Sequence, residues 1–256
     1  ITGLSGGGFV ATWVDYSAPS GLGVAKAQLY SAAGTKVGGE FALASGSNVE
    51  QSFPTVASLA NGGFVVTWTE AGIQSDYKIK AEVFSATGTV VTQPFVVNPL
   101  TFTQQGGNNL PGNHNPTITG LSSGGFVVTW QDYAGTGGDT SGAGVLAQVY
   151  SAAGVPAGGA VLVNTQTTGD QTQPAVTSLS DGGFVVTWMD GNVTDPATGL
   201  PGAMMKAQLF SAAGAKVGGE FVVDAEVQSD QALPVVTGLS TGGFVVAWQD
   251  SHPATG

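Results

Sequence analysis

The chain has 256 residues, of which 42% are apolar, 41 are glycine and 9% are charged. This composition excludes an intrinsically disordered polypeptide, which combines low hydrophobicity with high charge. The net charge of -11 argues against nucleic acid and anionic lipid as partners, since both attract basic surfaces. With no cysteine there is no disulfide or thiolate chemistry, and no apolar run is long enough to be inserted into a membrane.

A segment of ten residues, first read from Leu4 as LSGGGFVATW, recurs with small changes four more times along the chain. The other copies begin at Leu59, Leu121, Leu179 and Leu239. Each copy ends in one of the five tryptophans of the chain, Trp13, Trp68, Trp130, Trp188 and Trp248. A period of about 60 residues predicts one supersecondary unit that is stacked against copies of itself.

The repeat that starts at Pro174 predicts four strands in order. PAVTSLS and GFVVTWMD flank the pair Asp181-Gly182, which is typical of a tight hairpin turn. MKAQLF and VGGEFVVD follow as the third and fourth strands, separated by a turn that contains Gly214. The other copies keep this order, so the unit is a four-stranded antiparallel sheet.

The alternation of side chains along the second strand indicates how these sheets pack. Phe64, Val66 and Trp68 point to one face, while Val65 and Thr67 point to the other, so both faces are mostly apolar or small. Sheets stacked face to face bury both, which predicts an all-β, β-propeller-like array of four-stranded blades. An immunoglobulin-like sandwich needs about 100 residues per domain, and a β-helix has shorter coils without hairpins.

The proline that opens each first strand sets the predicted blade boundaries. We predict blades over residues 1–53, 54–115, 116–173 and 174–233, and a partial blade over 234–256, all within one propeller-like domain. The first blade begins inside a strand, and the fifth holds only its first two strands. We therefore expect this chain to be an excerpt of a longer array.

The compound motif GGFVVTWQD, AQVYSAAG and TTGDQTQPAVTSLSDGGFVVTW resembles repeats of very large secreted bacterial proteins of the RTX and calcium-binding adhesin type. The resemblance covers essentially the whole chain. It implies an extracellular or cell-surface location, export by a type I system, and a role in adhesion, surface layers or matrix. The calcium nonapeptide G-G-x-G-x-D of RTX coils is absent, so its ligands cannot be transferred to these residues.

A carboxylate follows each tryptophan by two residues: Asp15, Glu70, Asp132, Asp190 and Asp250. These acids are candidates for calcium ligation together with loop carbonyls. The alternative is structural, because an Asp at a strand end accepts hydrogen bonds from loop amides. No cofactor is required for either role.

Glutamine recurs three residues before the strand-opening proline, at Gln51, Gln171 and Gln231, with Asn113 in the remaining copy. We expect these amides to satisfy backbone groups between neighbouring blades, and we expect the five tryptophans to pack the blades. The loops after the acids differ in length and form the candidate partner face. An insertion over residues 98–116 adds Phe102 and His114 and is expected to be a surface loop.

Catalytic motifs are not evident in this sequence. His114 and His252 are the only histidines, and neither a metal-spaced pair nor a nucleophile elbow is present. We therefore expect no enzymatic activity, and instead a structural or adhesive repeat domain that contacts other repeats of its own or a neighbouring protomer, surface glycans or matrix proteins. The alternative is a lectin-like propeller that binds glycans through its rim loops, although the loop sequences do not match from blade to blade.

Overall fold

The structure is a computed structural model that describes residues 1–44, 49–71, 77–98, 115–135, 137–194, 201–224 and 230–251. These ranges are built from β-strands joined by turns, and no helix within them has the length and apolar character needed to cross a membrane. The strands of the first two repeats are β1 Thr2–Gly3, β2 Phe9–Asp15, β3 Val24–Tyr30, β4 Lys36–Ala42, β5 Glu50–Ser58, β6 Phe64–Ala71, β7 Tyr77–Phe84 and β8 Val90–Val96. Those that follow are β9 Thr117–Gly120, β10 Phe126–Asp132, β11 Gly144–Tyr150, β12 Val161–Leu162, β13 Gln171–Ser178, β14 Phe184–Thr194, β15 Pro201–Phe210, β16 Lys216–Asp224, β17 Asp230–Gly238 and β18 Phe244–Ser251.

The strands form one sheet per repeat. Four sheets have four strands each, in the orders β1-β2-β3-β4, β5-β6-β7-β8, β9-β10-β11-β12 and β13-β14-β15-β16. The fifth sheet, within the described residues, contains β17 and β18. Neighbouring strands are antiparallel. The predicted β-propeller-like array of four-stranded antiparallel blades is confirmed.

By its internal contacts the chain divides into two compact units, residues 1–128 with 149–157, and residues 129–148 with 158–256.

The two glycines of each hairpin turn are required for two different physical reasons. Gly62 donates a hydrogen bond to the Leu59 carbonyl at 3.0 Å and has a φ of 89°, which favours glycine. Gly63 follows it, and a Cβ at that position would lie 2.4 Å from the backbone oxygen of Phe84. The first glycine therefore permits the turn, and the second lets the hairpin approach the end of the third strand.

The second strands β6 and β10 are buried on both faces, as the alternation of apolar residues predicted. All residues of β10 are buried, and Phe64 and Trp68 of β6 have no exposed surface. An aromatic ring at the start of the second strand stacks on one at the end of the third strand in four repeats. The pairs, with their centroid separations, are Phe9–Tyr30 at 4.7 Å, Phe64–Phe84 at 5.0 Å, Phe126–Tyr150 at 5.1 Å and Phe184–Phe210 at 4.8 Å.

The predicted blade boundaries need a correction in the second, fourth and fifth repeats. Their first strands begin at Glu50, Gln171 and Asp230, before the prolines at which we placed the boundaries. Pairing continues across a β-bulge, because the register shifts between Ser52 and Thr55 and at the corresponding places in the other two repeats. Proline has no N–H for the ladder and is accommodated at a bulge of an edge strand.

The residue before each of these prolines has a left-handed backbone. The φ values are 50° at Phe53, 54° at Gln173 and 53° at Leu233. A side chain other than glycine or asparagine costs free energy in this region. In the second unit Leu233 is held there by a hydrogen bond of 2.5 Å from its backbone N–H to the Gln173 side-chain oxygen. The repeated bulge therefore stores a small strain in three first strands.

Replacing Leu233 by asparagine is expected to stabilise the protein by about 1 kcal/mol, since asparagine tolerates the left-handed region. The measurement is the free energy of unfolding in urea. Val235→Asn is the matched control, because both side chains are 63% exposed and Val235 lies in the strand after the bulge. That control should lose stability through its lower β-propensity. Equal effects of the two changes would show that the backbone at Leu233 is not strained.

Candidate functional site

The acid that follows each tryptophan forms an ion pair with a lysine of the third strand in three sheets. The distances between nitrogen and oxygen are 2.6 Å for Lys26–Asp15, 2.8 Å for Lys80–Glu70 and 2.7 Å for Lys206–Asp190. The ladder explains these contacts, because each lysine is the cross-strand partner of the tryptophan two residues before the acid. The period of the repeat identifies the acids in the sequence, whereas their lysine partners are evident only from the strand pairing.

The three ion pairs differ in their exposure to solvent. The side chain of Asp190 is 2% exposed, that of Glu70 9% and that of Asp15 22%. Lys206 and Lys26 each contact a second carboxylate, that of Glu220 at 3.1 Å and that of Glu40 at 2.7 Å. Burial opposes the charge on Lys206, and the hydrogen bonds to Asp190 and Glu220 outweigh it, so the pKa of Lys206 is raised.

In the first sheet the equivalent ion pair, Lys26–Asp15, is partly exposed to solvent. The hydrogen bond from Lys26, together with those from Ser17, lowers the pKa of Asp15 well below its usual range. The pKa of Lys26 is raised in turn, first by Asp15 and then by Glu40. Both partners therefore remain charged across the neutral pH range.

These contacts bear on the predicted calcium ligands. Lysine ammonium groups already occupy one side of Asp15, Glu70 and Asp190. The backbone N–H of Ala134 donates to Asp132 at 3.2 Å, and Asp250 lies in β18 opposite Gln231. Within the described ranges, no group of three or more histidine, cysteine, aspartate or glutamate residues could hold a metal ion. Calcium binding by these acids stays a prediction.

The recurring glutamines contact backbone groups of the third strands. The side-chain oxygen of Gln51 accepts a hydrogen bond from the Ala25 N–H at 2.8 Å, and that of Gln231 accepts one from Met205 at 3.0 Å. Two other repeats reach the equivalent N–H with an asparagine at the end of the fourth strand. These bonds join Ile79 to Asn98 at 2.6 Å and Val145 to Asn164 at 2.9 Å. Sequence reasoning missed the asparagines, and Asn113 lies outside the described residues.

Gln171 takes a different part in a buried polar network of the second unit. Its side-chain oxygen accepts a hydrogen bond from Asn164 at 3.0 Å, and its amide donates to Asp190 at 3.4 Å. Asn164 also donates to Asp139 at 2.8 Å. Asp139 is 1% exposed, although it belongs to the loop between β10 and β11. The network thus connects this loop, named here the β10–β11 loop and comprising residues 133–143, to the Lys206 ion pair.

The β10–β11 loop also binds a carboxylate from the connection between β12 and β13. Asp170 accepts a hydrogen bond from the Ala143 N–H at 2.9 Å, while Asp139 accepts one from the Ser141 N–H at 3.1 Å. Gly142 has a φ of 117°, and a Cβ there would lie 2.6 Å from Asp170 Oδ1. Only a glycine at this position lets the carboxylate approach. Burial, together with the negative charge of Asp170, raises the pKa of Tyr133 at the start of the loop.

Glu82 is a buried acid that occupies a glutamine position. Gln28, Gln148 and Gln208 hold the equivalent place in the other third strands, and Gln28 and Gln208 each donate to a fourth-strand carbonyl, at 3.2 and 3.3 Å. Glu82 is 2% exposed and accepts a hydrogen bond from the Ala44 N–H at 3.3 Å. Burial raises its pKa, and the bond from Ala44 opposes this only in part. A carboxyl group can donate as glutamine does only when it is protonated.

The tryptophans expected to pack the blades fall into two groups. Trp68, Trp130 and Trp188 are at most 1% exposed, and Trp13 and Trp248 are half-buried. The two histidines, Phe102 and most of the insertion over 98–116 lie outside the described residues. Of the variable loops, the structure describes the one after Asp15 and, apart from residue 136, the β10–β11 loop.

No family model and no curated protein matches this chain, whereas several solved structures match its fold. An α-L-arabinanase of Penicillium chrysogenum complexed with arabinobiose is 16% identical, with a TM-score of 0.62, and the match covers 96% of this chain and 73% of the arabinanase. A protein of unknown function from Dyadobacter fermentans DSM 18053 is 12% identical, with a TM-score of 0.55 over 82% of this chain and 64% of that one. A thermostable family-43 glycoside hydrolase has 13% identity and a TM-score of 0.42, over 97% and 87%.

These comparisons contradict the expectation of a non-enzymatic structural or adhesive protein. That expectation rested on the absence of recognisable catalytic motifs from the sequence. The arabinanase has the same fold and is an enzyme, so a blade-like repeat does not argue against catalysis. The expectation of no enzymatic activity is therefore contradicted by the fold likeness to an enzyme.

Replacing Lys206 by methionine is expected to lower the free energy of unfolding by about 3 kcal/mol or more, because it leaves the buried Asp190 carboxylate without its cation. Lys26→Met is the matched control, since it removes the same lysine from a carboxylate that is partly exposed. The control should lose clearly less stability. Urea denaturation of both variants at neutral pH measures the difference, and equal losses would contradict the role assigned to burial.

Replacing Glu82 by glutamine is expected to remove a pH dependence of stability. Since burial raises the pKa of Glu82 in the folded state, folding binds a proton more tightly, and this stabilisation is lost as the pH rises through the folded-state pKa. The advantage of E82Q over the unmodified protein should therefore grow with pH and vanish below the pKa of the unfolded state. Gln208→Glu should introduce the same dependence. Urea unfolding at several pH values between 4 and 8 measures both, and parallel curves would contradict the assignment.

Proposed function

We propose that this chain is a carbohydrate-active protein that binds a saccharide at the β10–β11 loop and hydrolyses its glycosidic bonds. The observation that carries the proposal is the pair of carboxylates, Asp139 and Asp170, held on the backbone of this one loop. Hydrolysis of a glycosidic bond uses two carboxyl groups, one acting as an acid and the other as a base or nucleophile.

The placement of the two carboxylates on one loop supports this use. Asp139 accepts a hydrogen bond from the Ser141 N–H and Asp170 accepts one from the Ala143 N–H, two residues further along the loop. Asp139 is buried and Asp170 is exposed.

An aromatic side chain and amides complete the site. Tyr133 is half-buried beside Asp170, and its hydroxyl accepts a hydrogen bond from Gln131 at 3.2 Å. A saccharide has apolar ring faces and a rim of hydroxyl groups, so a tyrosine ring with nearby carboxylates and amides matches its chemistry. The position of the loop at the end of a rigid sheet fits a binding role.

The fold supports the same class of function. The arabinanase that resembles this chain is a carbohydrate-active enzyme and was complexed with arabinobiose. At 16% identity this likeness concerns the fold, and the choice of residues rests on the β10–β11 loop of this chain. The extracellular location, the RTX-type resemblance, calcium use and contacts with surface glycans or matrix proteins stay predictions, which a secreted carbohydrate-active protein would accommodate.

The test is the release of reducing ends from a panel of arabinan, xylan, β-glucan and starch. We expect one polysaccharide to be cleaved, and Asp170→Asn and Asp139→Asn to lower the rate by about 100-fold or more, as loss of an essential carboxylate does. Thermal unfolding of each variant separates loss of activity from loss of fold.

Asp181→Asn is the control variant. Asp181 lies in the hairpin turn, where it accepts a hydrogen bond from Gly183 at 2.9 Å, and Asn61 makes the same bond at 3.0 Å in another repeat. This change removes one negative charge without disturbing the turn, so the activity should persist. Absence of reducing ends with every polysaccharide, or full activity in both loop variants, would contradict the proposal.

A further inference from the structure

Tyr133, the aromatic side chain of the β10–β11 loop, is held by a buried glutamine. Gln131 of β10 is 3% exposed, and its side-chain amide donates a hydrogen bond to the Tyr133 hydroxyl at 3.2 Å. The side-chain oxygen of Gln131 accepts a hydrogen bond from the Gln173 N–H at 3.1 Å. Because a backbone N–H can only donate, this second bond fixes which end of the Gln131 amide faces the tyrosine.

The hydrogen bonds continue from Gln173 to the next first strand. The side-chain oxygen of Gln173 accepts a hydrogen bond from the Leu233 N–H at 2.5 Å. Gln173 and Leu233 both have a left-handed backbone, with φ values of 54° and 53°. A strained backbone persists where its surroundings hold it in place, and such strain is often used to orient groups at functional sites. The glutamines therefore connect two strained bulges to Tyr133.

The first repeat has the same tyrosine without this glutamine. Tyr16 and Tyr133 each come directly after the acid that follows tryptophan, and Val14 stands where the third repeat has Gln131. Valine cannot donate a hydrogen bond. Tyr16 is 59% exposed, whereas Tyr133 is half-buried. The burial of the tyrosine ring thus accompanies the presence of the glutamine two residues before it.

We propose that Gln131 is a positioning residue for saccharide binding, which holds the ring of Tyr133 in place at the β10–β11 loop. This inference rests on the carbohydrate site proposed above. An aromatic ring that is already fixed loses less conformational entropy when a sugar ring stacks on it, so the affinity for the saccharide is higher. Gln131 therefore contributes to binding, whereas carboxyl groups supply the acid and the base that break the glycosidic bond.

Gln131→Val gives the third repeat the residue of the first and is expected to release the Tyr133 ring. Nitration by tetranitromethane, followed by mass spectrometry of proteolytic peptides, measures the accessibility of each tyrosine separately. Nitration of Tyr133 should become about fivefold faster, since a hydrogen bond of ordinary strength shifts the balance of held and released rings by about this factor. Nitration of Tyr16 should not change.

Thr69→Val is the matched control. Thr69 occupies the equivalent position in the second repeat, is 2% exposed, and is followed two residues later by Ala71 rather than by a tyrosine. This change alters a buried polar residue of the same strand position, so it should leave the nitration of Tyr133 as it is in the unmodified protein.

Kinetics with the polysaccharide that is cleaved separate binding from chemistry. Gln131→Val and Tyr133→Ala should each raise KM about fivefold or more and leave kcat nearly unchanged, as loss of an interaction made equally in the ground and transition states does. The double variant should raise KM no further than Tyr133→Ala alone, because Gln131 acts through the tyrosine ring. Circular dichroism confirms that each variant remains folded.

The proposal is overturned if Gln131→Val leaves the nitration of Tyr133 unchanged, if Thr69→Val has the same effect as Gln131→Val, or if the effects of Gln131 and Tyr133 on KM add. A fall in kcat at constant KM also overturns it, since Gln131 would then act on the chemical step. If no polysaccharide is cleaved, the proposed function fails and the saccharide role of Gln131 fails with it, whereas nitration still decides whether Gln131 positions Tyr133.

Discussion

Burial of both faces of the second strand is the constraint on which this structure depends. β10 is buried throughout, and Phe64 and Trp68 of β6 have no exposed surface. A strand with two apolar faces cannot be satisfied by a single sheet, so each repeat requires neighbours of its own kind. The stacked aromatic pair at the start of this strand and the glycine pair before it follow from the same requirement, because they let the hairpin lie against the third strand.

Burial of this extent imposes a second requirement, which is the satisfaction of polar groups inside the array. One N–H at a fixed place in the third strand finds its acceptor in two ways. Gln51 and Gln231 reach it from the following repeat, whereas Asn98 and Asn164 reach it from the end of the fourth strand. The repeats therefore have similar backbones but use different side chains to accept the hydrogen bond from this N–H. Because Asn164 accepts the hydrogen bond from the Val145 N–H, Gln171 is available to join a network with Asp139 and Asp190.

The candidate site arises where the repeats cease to be equivalent. The acids beside tryptophan are held by lysines in three sheets, which ties them to structure. The β10–β11 loop instead gathers Asp139, Asp170 and Tyr133 around backbone amides and a glycine that permits their approach. Chemistry placed on an irregular loop over a regular scaffold is how one fold accommodates different functions.

The sequence by itself determined the repeat, the four strands of each unit and the all-β propeller-like class, because alternation and turn residues are local signals. It also identified the five acids and the glutamines as regular polar positions. Only the tertiary structure decided their partners, since Lys206 and Asp190 are 16 residues apart in sequence and meet through strand pairing. Likewise, Asp139 is buried beside Asn164, 25 residues further along the chain, and Glu82 beside Ala44 of the preceding repeat, contacts that no local pattern encodes. The sequence did not predict the bulges before the prolines for the same reason. The part of β5 that precedes Pro54 is held by pairing with β6, a strand that lies later in the chain.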